Sequence, residues 1–193
     1  TVALTLDDGY GDNFLNLRAI AQATGVPLTL FVCPGKISQQ AAFDHDLKWG
    51  LPDFRPLTWG EVQKLDRDGI QIASHTRSHF DCGSTQRERL CDEITGAKHD
   101  LEMQLGKDVT YFAFPWGKPE NMSGPALGIA RNYYTNVFSA FGGENHPDDS
   151  GQCWHFRRVL HPNDLWELEL ALQSILEFGT PCGSDHVERL SDC

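Results

Sequence analysis

Short apolar runs and stripes of period three to four take turns along the whole chain, and few architectures accommodate that alternation. The runs are Val2 to Leu6, Leu28 to Cys33, Ile70 to Ser74, Thr110 to Phe114, Tyr133 to Ser139 and the weaker His155 to Leu160. They read as strands, the first two of them buried. Between them, Asn13 to Thr24 places Phe14, Leu17, Ile20 and Ala21 on one helical face, with Asp12 as N-cap and Gly25 as stop. Thr58-Trp59-Gly60-Glu61 is a capping box opening a helix to about Arg67. A long helix is expected from Thr85 to Leu105, with Leu90, Ile94, Ala97, Leu101 and Leu105 inward and its charged residues, Arg87 to Asp100, solvated. Pro125 suits the first turn of another helix, and Asn163-Asp164 caps a last one carrying Leu165, Leu168, Leu172, Ile175 and Leu176. Residues 36–57 read as irregular, and 140–153 as a long loop in which His146 and Asp148 are turn residues. The crossovers are long enough for parallel βαβ units, which makes the class α/β. Residues just after such strands gather at one edge of a barrel or open sheet.

With 193 residues, 40% of them hydrophobic, a single well-filled domain is expected. Sixteen basic against 27 acidic residues give a net charge of −11, which argues against nucleic acid and anionic membrane surfaces as partners. No apolar run is long enough for a transmembrane segment, and no leader is visible. The six cysteines are scattered without C-x-x-C spacing and read as separate thiols, Cys182 and Cys193 being the pair with most claim to a bridge. Together these features lean to a cytoplasmic location, a secreted form with its signal removed remaining open. The sequence is silent on oligomeric state.

Two motifs carry chemistry. Asp7 and Asp8 follow the first strand and precede Gly9. Two carboxylates so close repel, so a metal or an arginine should neutralise them. Ser74-His75-Thr76-Arg77-Ser78-His79 follows the third strand, with its two histidines four apart, the spacing of one face of a helical turn. Two imidazoles and a carboxylate make a facial metal triad with open positions, suited to Zn²⁺. Asp44-His45-Asp46 could also bind a metal, but without a partner motif it reads as a solvated loop.

Thr5-Leu6-Asp7-Asp8-Gly9, His75-Thr76-Arg77-Ser78-His79 and Phe112-Ala113-Phe114-Pro115-Trp116-Gly117 together resemble the motifs of the polysaccharide deacetylases of the NodB-homology type, carbohydrate esterase family 4. The resemblance covers about residues 1–178, expected to be the catalytic domain, with 179–193 as a C-terminal tail. It implies a distorted, incomplete (β/α) barrel. It further implies that Asp8, His75 and His79 bind the metal (Zn²⁺, or another divalent ion such as Co²⁺ or Ni²⁺) and that Asp7 is the catalytic base. The Trp116 backbone N–H would steady the oxyanion, and Trp116 and Phe114, with Pro115 and Gly117, would line the substrate.

Two departures matter. Many members hold the catalytic Asp with an arginine in the third motif, where this chain has Ala113, as in an F-A-Y-P-Y-G-like subgroup. Arg157 or Arg158 is then the candidate to supply the charge. The last motif of the family, Leu-x-His-Asp-like, has its nearest match in Leu160-His161-Pro162, making His161 the expected general acid for the leaving amine. The implied activity is metal-dependent removal of an N-acetyl group from an N-acetylated saccharide or its precursor. The alternatives are a hydrolase of a non-sugar amide, or a non-catalytic carbohydrate-binding protein. Retention of the non-ligand Asp7 speaks against the last.

Overall fold

The computed structural model describes residues 3–51, 54–142, 145, 153–159 and 164–169. Six strands form one sheet in chain order: β1 (Leu4–Leu6), β2 (Leu28–Val32), β3 (Gln71–Ser74), β4 (Tyr111–Ala113), β5 (Asn136–Ser139) and β6 (His155–Arg157). Every neighbouring pair is parallel. The sheet curls into a half-barrel with helices outside, the incomplete (β/α) barrel that the family resemblance implies and the alternation allows.

Strand residues sort by the period of two. Leu28, Leu30, Val32, Ile72, Phe112 and Val137 face the helices and join one large buried cluster. Phe31, Ala73 and Ala113 face the opposite, inner side, where Tyr111 and Phe138 pack on them. The register sets Phe31 beside Ala73 and Ala113 beside Phe138, so large and small side chains alternate across the curl. Burial of Phe31, Phe112 and Phe114, all fully enclosed, contributes about 2–3 kcal/mol each.

The outer layer comprises α1 (Asn13–Thr24), α2 (Pro34–Gln39), α3 (Asp44–Lys48), α4 (Trp59–Arg67), α5 (Arg87–Cys91), α6 (Ala97–Leu105) and α7 (Gly124–Tyr133). The α4 capping box forms with both reciprocal bonds. Ser123 caps α7, with Pro125 in its first turn. Residues 165–169 are also helical. Among the described residues no helix is long and apolar enough to cross a membrane.

Several expectations need correction. β1 is an edge strand that pairs only with β2 among the described residues, so Leu4 is exposed rather than buried. Asp12 stands at the N-cap of α1 without a side-chain capping bond, because its backbone is already helical. Ile20 is exposed, and Leu17 anchors that helix. Residues 36–57 are not wholly irregular, since Pro34 opens α2 directly after β2. Gly35 serves close approach, since a Cβ would stand 2.5 Å from the Arg77 carbonyl oxygen. The expected helix over 85–105 is continuous but contains a π-turn, Asp92–Gly96, between α5 and α6. Its charged residues are not all solvated, for Glu93 is 1% exposed. Cys33, Cys82, Cys91 and Cys153 are free thiols, as their scatter predicts. Val2, His146, Asp148, His161, Cys182, Cys193, the end of the last helix and the boundary at 178 lie outside the described residues.

Candidate active site

Four strand ends converge at the C-terminal edge of the sheet. β1 is followed by Asp7 and Asp8, β3 by the turn holding His75 and His79, β4 by Phe114 to Gly117, and β6 by Arg158. The backbone there is unusual. Of five non-glycine residues with positive φ among the described residues, four belong to these loops: Asp8 (72°), Thr76 (62°), His79 (63°) and Trp116 (57°). Gly9 N–H bonds the Asp7 carbonyl at 2.9 Å and Gly117 N–H the Pro115 carbonyl at 2.7 Å. Asp8 and Trp116 are therefore the central residues of γ-turns of the rare, positive-φ kind. Such conformations cost about 1–3 kcal/mol each and persist where surrounding structure enforces them.

Asp8, His75 and His79 each offer a donor atom, all within 4.8 Å of one another. Asp8 Oδ1 lies 3.1 Å from His79 Nε2 and 3.5 Å from His75 Nε2. The expected convergence of the two rings is real, but the H-x-x-x-H segment is a turn, not a helical face, because Thr76 and His79 are left-handed. His75 is fully buried, and its Nδ1–H donates to the Ala113 carbonyl at 2.8 Å. Burial lowers its pKa, Asp7 and Asp8 opposing, so the ring is neutral near pH 7 and Nε2 carries a lone pair toward the carboxylates. Asp8 Oδ1 is buried and receives no hydrogen bond among the described residues. A lone pair facing an unsatisfied carboxylate oxygen leaves a void of positive charge, and the donor set suits a divalent cation.

Asp7 is in a different environment. Arg158 grips it with two bonds, Nη1 to Oδ1 at 2.6 Å and Nη2 to Oδ2 at 2.8 Å, and also reaches Thr5 Oγ1. Burial pushes the Asp7 carboxyl up, but His75 and Arg158 pull it down by more, leaving it below the usual range. Burial likewise raises Asp8, and His79 and His75 outweigh it. Arg158 thus supplies the charge beside Asp7, while Ala113 contributes the carbonyl that fixes His75. Arg157 does not share the task, lying over Phe141 with its backbone paired to Asn145.

The third motif divides differently from expectation. Trp116 is 46% exposed with its ring 4.5 Å from that of His79. Gly117 is buried with φ 62°, and a Cβ there would meet the Ala140 nitrogen at 2.6 Å. Phe114 is wholly buried, edge-on to Phe112 at 4.8 Å, and cannot touch a substrate, having the same strand parity as Phe112. Pro115 is buried too.

Neighbours that sequence reading missed come from α3. Phe43 and His45 pack on the His79 ring at 5.7 and 5.0 Å, while Asp46 accepts from the Tyr10 hydroxyl at 2.7 Å. Asp44-His45-Asp46 is not a loop but a short helix buttressing His79. Five residues are too few to display a helical period.

Fold and site together define an α/β half-barrel whose sheet edge brings together a carboxylate and two imidazoles that could hold a metal ion, beside a second, tethered carboxylate. The family model for polysaccharide deacetylase matches residues 1–133, and the chain belongs to that family. A chitin deacetylase from Pestalotiopsis sp. is 26% identical over 151 residues, which is 78% of this chain and 45% of that protein. The chain spans less than half the length of the curated relatives it matches. Among solved structures, Streptococcus pyogenes deacetylase PplD, determined with acetate, superposes with a TM-score of 0.68 at 21% identity, covering 88% of this chain and 69% of that one. IcaB from Ammonifex degensii gives 0.68 at 22%, covering 88% and 71%.

Proposed function

We propose that this chain is a metal-dependent hydrolase that removes the N-acetyl group from an N-acetylated sugar in a polysaccharide or its precursor, releasing acetate. The observation that carries the reading is the division between two adjacent carboxylates: Asp8 faces His75 and His79, whereas Asp7 is held by Arg158. A binding module has no use for that second, tethered group.

Asp8, His75 and His79 would hold a divalent cation, Zn²⁺ or another such as Co²⁺ or Ni²⁺. Such an ion supplies Lewis acidity, activating water and polarising the acyl carbonyl. Asp7 stays ionised and oriented, and takes the proton of the attacking water as general base. The Trp116 N–H, in its enforced turn, donates to the developing oxyanion, and the exposed indole offers a face to a sugar ring. His161 keeps its assignment as acid for the leaving amine on sequence resemblance alone. The F-A-Y-P-Y-G-like subgroup is the fitting one, because the arginine beside Asp7 comes from the end of β6 and not from the third motif.

The test is acetate release from a panel of N-acetylated oligosaccharides, with chelator-stripped and Zn²⁺-restored protein side by side. Release that depends on added metal is expected. Metal bound with no release from any sugar would overturn the activity, and failure to bind any divalent ion would overturn the site.

A further inference from the structure

We propose that Glu93, delivered by the π-turn, is the positioning residue that sets how tightly Asp8, His75 and His79 take up a divalent cation. The inference rests on the metal reading above and goes beyond it by assigning a buried carboxylate that makes no bond to the donors.

His75 and His79 stand at the two ends of a turn that must be held against its own preferences. Thr76 is β-branched and sits at φ 62°, an outlier for such a residue, and His79 is left-handed as well. Part of the restraint is local: Phe80 N–H bonds Thr76 Oγ1 at 2.9 Å, and Gly35 N–H bonds the Arg77 carbonyl at 2.8 Å. Further restraint comes from the helix over 87–105, chiefly from Glu93. Arg77 N–H donates to the Glu93 carbonyl at 2.9 Å. Ser78 N–H donates to Glu93 Oε2 at 2.9 Å, and Ser78 Oγ–H to Oε1 at 2.7 Å. Arg77 also reaches Asp100 at 2.8 and 3.0 Å.

Glu93 is 1% exposed, and Arg89 at 2.8 Å is its cation. A carboxylate so enclosed is costly unless its acceptors are used, and here both oxygens accept from the residue preceding His79, Oε1 being shared with Arg89. The π-turn Asp92–Gly96 is the irregularity that coincides with this contact, since its carbonyl and its side chain both bond the turn. Insertions of that kind are frequently found at functional sites. Glu93 therefore holds a ligand-bearing turn in its donor geometry before any ion arrives.

The experiment is a titration of chelator-stripped protein with Zn²⁺ in competition with a chromophoric chelator, below the melting range, alongside the melting temperature of each metal-free form. Glu93→Ala should weaken Zn²⁺ binding about 10–100-fold, the usual loss when a partner that orients a ligand is removed. Glu93→Gln keeps an acceptor for Ser78 N–H and a donor for its hydroxyl, so it should restore affinity to within about threefold of the parent. A lowered melting temperature with unchanged Zn²⁺ affinity in Glu93→Ala would make Glu93 merely structural and overturn the proposal. Equal weakening by Gln and Ala would overturn it too, because charge rather than positioning would then be responsible. Should the alanine variant not fold, Glu93→Asp, one methylene too short to reach both Ser78 groups, should bind about tenfold more weakly, and unchanged affinity there would refute the idea. Failure of the parent to bind Zn²⁺ would instead sink the metal reading itself, and this proposal with it.

Discussion

Replacing Arg158 by alanine tests the division of labour between the two carboxylates. The guanidinium holds Asp7 at 2.6 and 2.8 Å, with 14% of the arginine side chain and 31% of the aspartate side chain exposed. For charge centres about 4 Å apart, an effective dielectric of about 20 gives an attraction of about 4 kcal/mol. Water reaching Asp7 screens part of this, so the expected loss of stability is about 2 kcal/mol. In a chain of this length that lowers Tm by about 4–8 °C. The larger effect is on catalysis. Without its fork Asp7 is free to rotate away, and a displaced general base costs about 100-fold in kcat. Arg158→Lys keeps a point charge that reaches one oxygen at a time, so it should recover about tenfold of that loss. Zn²⁺ affinity should stay close to the parent value, because the bonds of Arg158 go to Asp7, Thr5 and the Ser139 carbonyl and to none of the three donors. Steady-state acetate release and Zn²⁺ titration on the same preparations decide the matter. An alanine variant with kcat within about threefold of the parent would refute the assignment of Asp7 as a base that Arg158 positions.

Thr58→Ala removes the α4 cap and should cost about 1 kcal/mol in urea unfolding. Glu61 of the same box, bonded by Arg55 and Thr58, has its pKa lowered to about 2 from 4.5. Its contribution is thus complete above pH 4.5 and lost as pH falls toward 2; after allowance for solvent screening of this exposed pair, stability measured over that window should fall by about 1 kcal/mol more in the parent than in Glu61→Gln. Tyr134→Phe strips the buried hydroxyl that donates to the Ile94 carbonyl in the π-turn at 2.8 Å, and should lower stability by about 1–2 kcal/mol with an unchanged unfolding slope. Gly117→Ala meets both a positive φ and the Ala140 nitrogen at 2.6 Å, so about 2–3 kcal/mol of destabilisation should appear in thermal melts.

What the sequence makes legible follows from how local each signal is. The strands and main helices are written in short-range periods, and Asp7-Asp8 and the histidine pair sit at strand ends that those periods locate. Phe114 and Arg158 were also within reach, though only through parity. Phe112 faces the helices, so Phe114 does as well, while Phe156 stacks on Phe138 of the inner face, which turns Arg158 inward and Arg157 away. Glu93 was not legible. It lies within a run of charged residues that a regular helix would expose, and nothing short-range in Asp92-Glu93-Ile94-Thr95-Gly96 announces a π-turn. The α3 buttress escaped because its meaning is set by Tyr10 and His79, residues distant in sequence.

The bond between Arg158 and Asp7 joins residues 151 positions apart, across the two outermost strands of the sheet. Asp8, His75, His79 and the Ala113 carbonyl that steadies them are all made within the first 113 residues of the chain described here. During synthesis, which runs from the N-terminus, the donors can assemble well before the arginine has been added. The last described strand therefore acts as a completion check: a nascent or truncated chain ending before residue 158 can bring Asp8, His75 and His79 together but leaves Asp7 without its guanidinium. The tether on Asp7 arrives only when the end of the half-barrel returns to its beginning.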